Sequence, residues 1–258
     1  MKRFLFPLFF FSLFCASSGL AQERPSAWLA RMGRHVGKPM EVRIKTEMTM
    51  GTIWAQSETE VVFLDKSHFK SESEVQRKVQ GQKEPVIAKM KEVADGTKLW
   101  QEVSTNLMKV ANVRHVPLSF LEQQVGQQNA QVAAGDQYHP IRKVQELISN
   151  AKFETADRKG DEVHLVGTFT EEGARRMNAT MPALVPEKLT LILDATSLLP
   201  ISLHVDGQGG AFIHNEYTAK FLNPSKLDKK AFAYQPPEGA QVTDMTKASG
   251  GPQPPAGG

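Results

Sequence analysis

The stretch "MEVRIKTEMTM", Met40–Met50, sets the period from which the fold is read. Val42, Ile44, Thr46, Met48 and Met50 alternate with Glu41, Arg43, Lys45, Glu47 and Thr49. Successive side chains of a strand point to opposite faces, so one face collects the less polar set and the other the charges. A strand that is half greasy and half charged belongs to an antiparallel sheet with one covered and one wet side.

The same period continues downstream. Gly51 turns the chain, and "TIWAQ" and "TEVVFLD" read as further strand. "SHFKSESEVQRK" alternates with a wet outer face. "VIAKMKEV" and "TKLWQEVST" flank Ala94-Asp95-Gly96, and Asp-Gly between alternating runs is a strong hairpin signal. In the last third, "KFETADR", "EVHLVGTFT", "KLTLILD", "PISLHVD" and "AFIHNEYTAKFL" alternate again, separated by turn-forming residues such as Gly160 and Gly207–Gly210. The total is about ten antiparallel strands.

Three segments carry the helical period instead. "SAWLARMGRHVG" places Trp28, Leu29, Met32 and Val36 on one face behind a Ser26 N-cap, and Gly37 and Pro39 stop it. "PLSFLEQQVGQQNAQV" sets Leu118, Leu121, Val125 and Val132 on one side. After Gly135-Asp136, "HPIRKVQELISNA" aligns Ile141, Val144, Leu147, Ile148 and Ala151, with Pro140 in its first turn.

A sheet with one apolar face has to cover it. Three helices cannot make a full second layer. The expected fold is therefore mainly β (α+β), an incomplete, strongly curved antiparallel β-barrel with amphipathic helices as a lid over a hydrophobic cleft. Candidate cleft residues are Val42, Ile44, Met48, Leu99, Leu165, Phe169, Leu191, Leu203, Ile213 and Tyr217 from the strands. Leu121, Val125, Val144 and Leu147 come from the lid. Met48, Met50 and their neighbours Met32, Met40, Met90 and Met108 suit a surface that adapts to greasy partners, although ordinary core packing explains them equally.

The ends read differently from the body. Met1-Lys2-Arg3, the apolar run "FLFPLFFFSLF" and "CASSGLA" form the n-region, h-region and small-residue cleavage site of an export signal, cut near Ala21. The run is shorter than the ~20 residues of a membrane span, and Phe14 beside Cys15 makes a poor lipidation site. Removing 21 of the 258 residues leaves 237, and losing Lys2 and Arg3 lowers the formal charge from +3 to +1. That balance gives no basis for nucleic-acid binding. Cys15 is the only cysteine, so the mature chain has no disulfide and no thiolate chemistry. An exported, cysteine-free chain fits the bacterial periplasm, free or associated with the outer membrane. Residues 22–245 form one expected domain, and 246–258 a disordered Pro/Gly tail.

Catalytic signatures are missing. There is no G-x-S-x-G elbow, no H-E-x-x-H and no strand followed by G-x-G-x-x-G. His164, His204 and His214 alternate with strand apolar residues, which puts them on the outer polar face. A metal site would need their strands to adjoin, and no cofactor or metal is expected. Glu171-Glu172 reads as solvated turn. The chain reads as a binding protein and not an enzyme.

The stretch "LTLILDATSLLPISLHVDGQGG" followed by "FIHNEYTAKFLNPSKLDKKAFAYQPPEGAQVTDM" adds a resemblance. A strand ends in Asp194 and leads to Leu199-Pro200. A hairpin follows, then a strand ending near Asn223, a lysine-rich turn, Phe232, Pro237-Glu238-Gly239 and a last strand at Val242. This ordered set, over roughly 188–245, resembles the end of the periplasmic lipoprotein carriers, the LolA-like and LolB-like proteins. The resemblance implies a curved barrel lidded by helices. It also implies receipt of lipoprotein or lipid acyl chains by a monomer, between an inner-membrane donor and an outer-membrane acceptor. A sensor or binding module of the same fold is the alternative. The Thr105–His139 stretch is longer than that family's, the tail is extra, and Arg43 is the nearest position to the family's arginine. In this reading Phe232 and Tyr234 anchor the end of the barrel, and Pro236–Gly239 is a corner leading into an edge strand at Ala240–Thr243.

Overall fold

The computed structural model describes residues 23–128 and 138–248, with 124–128 as backbone alone. The expected signal at 1–21, Val132, Gly135-Asp136 and the tail beyond 248 lie outside the described residues. Among the described residues, twelve strands form one sheet. They are β1 Met40–Met50, β2 Ile53–Asp65, β3 His68–Val79, β4 Val86–Asp95, β5 Lys98–Thr105, β6 Asn112–Pro117, β7 Ala151–Lys159, β8 Glu162–Phe169, β9 Pro186–Asp194, β10 Pro200–Gly207, β11 Phe212–Phe221 and β12 Gln241–Asp244. The helices are α1 Pro25–Gly33, α2 Leu118–Gln128, α3 Pro140–Ile148, α4 Glu171–Thr180 and α5 Met245–Ala248.

The strand order is β12-β6-β5-β4-β3-β2-β1-β11-β10-β9-β8-β7. The sheet is open, with β12 and β7 as its edges. Two meanders, β1 to β6 and β7 to β11, are sewn together where β1 pairs antiparallel with β11. The mainly-β expectation is correct. The strand count rises from ten to twelve, and one pair departs from antiparallel, because β12 runs parallel to β6.

The period-2 pattern explains the core. Met40 and Val42 are buried on β1 and pair with Phe63 and Val61 on β2, while Arg43 and Lys45 face out. On the outward side β1 and its neighbours carry a ladder of ion pairs: Arg43–Glu60, Lys45–Glu58, Lys91–Glu72, Lys89–Glu74 and Glu41–Lys220. Their side chains are mostly half exposed, so each contributes little, about 0–1 kcal/mol. Arg43, the nearest match to the carrier family's arginine, therefore points away from the covered face.

α1 and α3 touch one another and lie over the inner face. α1 buries Trp28 and Met32. It starts at Pro25, with Arg24 rather than Ser26 at the cap position, because Pro at the first turn has no amide to satisfy. α3 buries Ile141, Val144 and Ile148 along one stripe. Its N-cap is His139, fully buried: Nδ1 accepts from the Ile141 amide at 3.2 Å, and Nε2 lies 3.1 Å from the Lys38 carbonyl, to which it donates. The His139 ring stands edge-on to Phe63, and Tyr138 stacks on Phe69 with centroids 4.6 Å apart. These contacts pin the start of α3 to β2 and β3. α4 is capped by Thr170, whose hydroxyl accepts from the Gly173 amide at 3.0 Å. Glu171 and Glu172 sit in its first turn, where the helix dipole favours acids, and not in a loose turn.

The chain after β11 does not end the barrel. Two single 3-10 turns, Pro224–Lys226 and Lys229–Phe232, carry it across the outer face of β3 and β4. Phe232 is buried there beside His68, and Tyr234 packs on Trp100 with centroids 5.3 Å apart and donates to Glu102 at 2.7 Å. Val93 and Val113, both buried, share this outer side. This strap corrects the expected placing of Phe232 and Tyr234. Gly239 then adopts φ 75, a left-handed value that glycine takes freely, and turns the chain into β12, the edge strand at 241–244.

Candidate functional site

The register places all ten strand residues named from sequence on one face. Val42, Ile44 and Met48 on β1 pair with Ala219, Tyr217 and Ile213 on β11. Leu203 on β10 pairs with Leu191 on β9, which pairs with Leu165 on β8. Leu99 lies in the row of Ala94, Phe69, Phe63 and Met40. Phe169 sits opposite Ala151 at the β7 edge. From the lid, Val144 is buried and Leu121 and Leu147 pack on the same cluster. Val125 lies in α2, with its side chain outside the described residues.

This face divides into two regions. From β1 through β11 to β8 it is filled: Leu165, Leu191 and Leu203 are 0 % exposed, closed over by the chain's own side chains. Over β2 to β6 it is filled at the Phe63, Phe69, Ala94 and Leu99 row and open further along the strands. Here a cavity of about 490 Å³ is lined by Thr59, Ser71, Ser73, Met90, Gln101 and Val103, with Glu92 on β4 and Asn112 and Arg114 on β6. Its volume falls in the range of small-molecule sites. Following the register outward from Ile44 gives the row Thr59, Ser73, Met90, Val103 and Asn112. The parallel row from Val42 runs Val61, Ser71, Glu92, Gln101 and Arg114. Apolar groups are therefore mixed with hydroxyls, amides and one guanidinium. Met90 and Val103 are 40 % and 38 % exposed, although they lie on the face that elsewhere forms the core.

None of these cavity residues was singled out from sequence as a site, apart from Met90 in the methionine pattern. The signal was available: each hairpin carries the parity of Ile44 one strand further. The polar residues interrupt the apolar pattern of these strands, so hydrophobicity alone does not mark them.

The electrostatics of the cavity are simple. Gln101 donates its amide to Glu92 at 2.8 Å. Tyr138, at the start of α3, has its phenol pushed up to about 12, first by burial and second by the charge on Glu92. Tyr217 is likewise raised to about 12 by burial, against a hydrogen bond to Asn215 that lowers it. Both phenols stay neutral at ordinary pH. Lys91 and Glu102 reach the cavity rim from strand positions of outward parity, where Lys91 pairs with Glu72 and Glu102 accepts from Tyr234.

The strand histidines lie on the outer face, as their alternation implies. His204 and His214 are neighbours on β10 and β11, their Nδ1 atoms 3.2 Å apart so that one donates to the other. Asp206 lies 2.9 Å from Nε2 of His204, and Glu216 lies 3.5 Å from Nε2 of His214. His164 pairs separately with Glu162 at 2.8 Å. Among the described residues no three His, Cys, Asp or Glu side chains converge in a way that holds a metal ion. No helix among the described residues is long and apolar enough to cross a membrane.

Comparison with known proteins gives a distant likeness. No protein-family model matches the chain, and no curated protein does. Among solved structures, it is similar to an uncharacterized conserved protein from Thermus thermophilus, at 14 % identity and TM-score 0.41, with 85 % of this chain and 98 % of that one covered. LprF from Mycobacterium bovis matches at 12 % identity and TM-score 0.42, covering 79 % and 99 %. A LolA superfamily protein from Nitrosomonas europaea matches at 13 % identity and TM-score 0.26, covering 81 % and 97 %.

Proposed function

We propose that this chain binds the acyl chain of a lipid or lipoprotein on the inner face of its sheet, and carries it through the periplasm toward the outer membrane. The observation behind the proposal is the open cavity. It sits on the same face as the core, and it leaves Met90 and Val103 uncovered where the rest of that face is packed. Each methylene buried returns ~0.8 kcal/mol, so a chain with ten methylenes covered gains roughly 8 kcal/mol before ordering costs. Gains of that size give micromolar affinity or weaker, which allows release to an acceptor. In this reading the protein is a non-enzymatic monomer that takes cargo from an inner-membrane donor.

The test is direct. The full chain is purified from the envelope fraction, extracted and analysed by mass spectrometry for acyl species. A fluorescent fatty acid is then titrated into wild type and into M90D and V103D. Saturable binding that either substitution abolishes, with an unchanged melting curve, supports the proposal. No co-purifying acyl species and no probe binding overturn it.

One observation favours a second reading. The β8–β11 half of the face has no room for a ligand, since its leucines are fully buried by the chain itself. A sensor or docking module needs only the smaller open cavity. Quantitative transfer of a lipoprotein between donor and acceptor membranes separates the two: a carrier accelerates it and a sensor does not.

A further inference from the structure

We infer that the open cavity selects a single-chain amphiphile with an anionic head, the anion held by Arg114 and the chain lying over Met90 and Val103. The inference rests on the binding proposed above and adds the class of ligand.

Three observations carry it. First, the two exposed apolar lining residues stand side by side in one register row, and Arg114 lies in the adjacent row at the β6 side of the cavity. Met90 and Val103 are direct cross-strand partners on β4 and β5, and next to them Gln101 pairs with Arg114 on β6. A ligand lying across these strands meets apolar surface over β4 and β5, and amide and guanidinium groups at β6. Second, Arg114 is exposed and makes no ion pair or side-chain hydrogen bond among the described residues, whereas the other charges at the cavity are committed. Glu92 takes the Gln101 amide, Lys91 takes Glu72, and Glu102 takes Tyr234. Of the two cations at the cavity, Arg114 is the one without a carboxylate partner among the described residues, while Glu92 and Glu102 keep their charges and accept from neutral donors. Third, Glu92 lies two strands from Arg114, roughly 10 Å between backbones, and no ion pair among the described residues joins them. A guanidinium presents a planar fork that fits a carboxylate or a phosphate, and such charge-assisted bonds are about twice as strong as neutral ones.

The experiment uses the full chain and three ligands with one myristoyl chain: myristate, myristoyl lysophosphatidate and monomyristoylglycerol. Affinities are measured by calorimetry, with inorganic phosphate as a fourth arm. Wild type is expected to bind the two anionic lipids about tenfold tighter than the neutral one, the size of one charge-assisted hydrogen bond. R114A and R114Q are expected to erase that preference and to hold monomyristoylglycerol affinity within about twofold. The melting curve stays as in wild type, because Arg114 is exposed. The stronger of the two anionic lipids identifies the head as carboxylate or phosphate. Equal binding of neutral and anionic lipids by wild type, or an undiminished preference in R114A, overturns the inference and leaves lipid binding standing. Inorganic phosphate binding as tightly as the lysophosphatidate also overturns it, since the site would then take a free anion. If none of the three lipids binds, the proposed function fails and the inference with it.

Discussion

Replacing Phe232 with alanine tests the strap. Phe232 is 1 % exposed, yet it lies on the outer face of the sheet, where ion pairs and solvent dominate elsewhere. It packs against β3 and β4 and stands edge-on to His68 with centroids 6.0 Å apart. Truncating a buried phenylalanine costs ~3–5 kcal/mol when the surroundings hold their shape. Here the strap is a single layer of 3-10 turns and coil that can settle inward, so the low end applies, about 3 kcal/mol. With a urea slope near ~3 kcal/mol per molar, the unfolding midpoint falls by roughly 1 M. The assay is urea unfolding followed by tryptophan fluorescence, since Trp100 packs against Tyr234 two residues further on. Limited proteolysis of F232A is expected to cut first between Leu222 and Ala240. A midpoint shift below roughly 0.3 M with unchanged slope would refute the reasoning. The strap would then be lying on the sheet without holding it.

Three further outcomes follow from other contacts. Y234F removes the 2.7 Å bond to Glu102 from a partly exposed position, and is expected to lose about 1 kcal/mol or less in the same urea assay, well short of F232A. G173A puts a Cβ 2.0 Å from the Asn150 carbonyl oxygen, so α4 has to shift away from the turn between α3 and β7; the expected loss is ~2 kcal/mol, read as a fall of roughly 4–8 °C in the thermal midpoint. Burial alone would raise the Asp95 carboxyl, but hydrogen bonds from the Lys98 and Thr97 amides, the Trp100 indole and the Thr97 hydroxyl outweigh it and hold the group below its usual range. Because the folded value is the lower one, the stabilisation is complete above about pH 4 and disappears as the pH falls through the folded value. D95N is accordingly expected to flatten the acid limb of the stability curve between about pH 5 and pH 2, and an unchanged slope would contradict it.

Alternation made most of the sheet legible. β1 to β5 and β7 to β11 each keep a less polar inner row, because both faces have constant surroundings over their length. β6 does not. Its Val113 faces outward under the C-terminal arm, while Asn112 and Arg114 face inward, so the usual relation between polarity and side is reversed there. A strand of that kind has no period-2 signature, and the alternation rule passes over it. The parallel pairing of β12 was equally hidden, since nothing local in Gln241–Asp244 states which edge it joins. The candidate site was not legible. Hydrophobicity marks Val42 and Leu203 as buried, and both are packed core that does not line the cavity. The cavity lining is polar where the face is open, so no apolar pattern marks it.

The seam between β1 and β11 has a consequence for how the molecule forms. Thr46 and Asn215 hydrogen-bond across it from positions 169 residues apart. Closing a loop of that length costs about 4–5 kcal/mol in chain entropy, whereas the hairpins within each meander close over short turns. The two meanders are thus expected to assemble early and independently, and the seam to zip late. Until it does, β1 and β11 each present a bare edge of the right register for the other. A second chain in the same state offers the same edges. The interval before closure is when two copies can exchange halves, and dilution during refolding should favour the monomer over that swapped dimer.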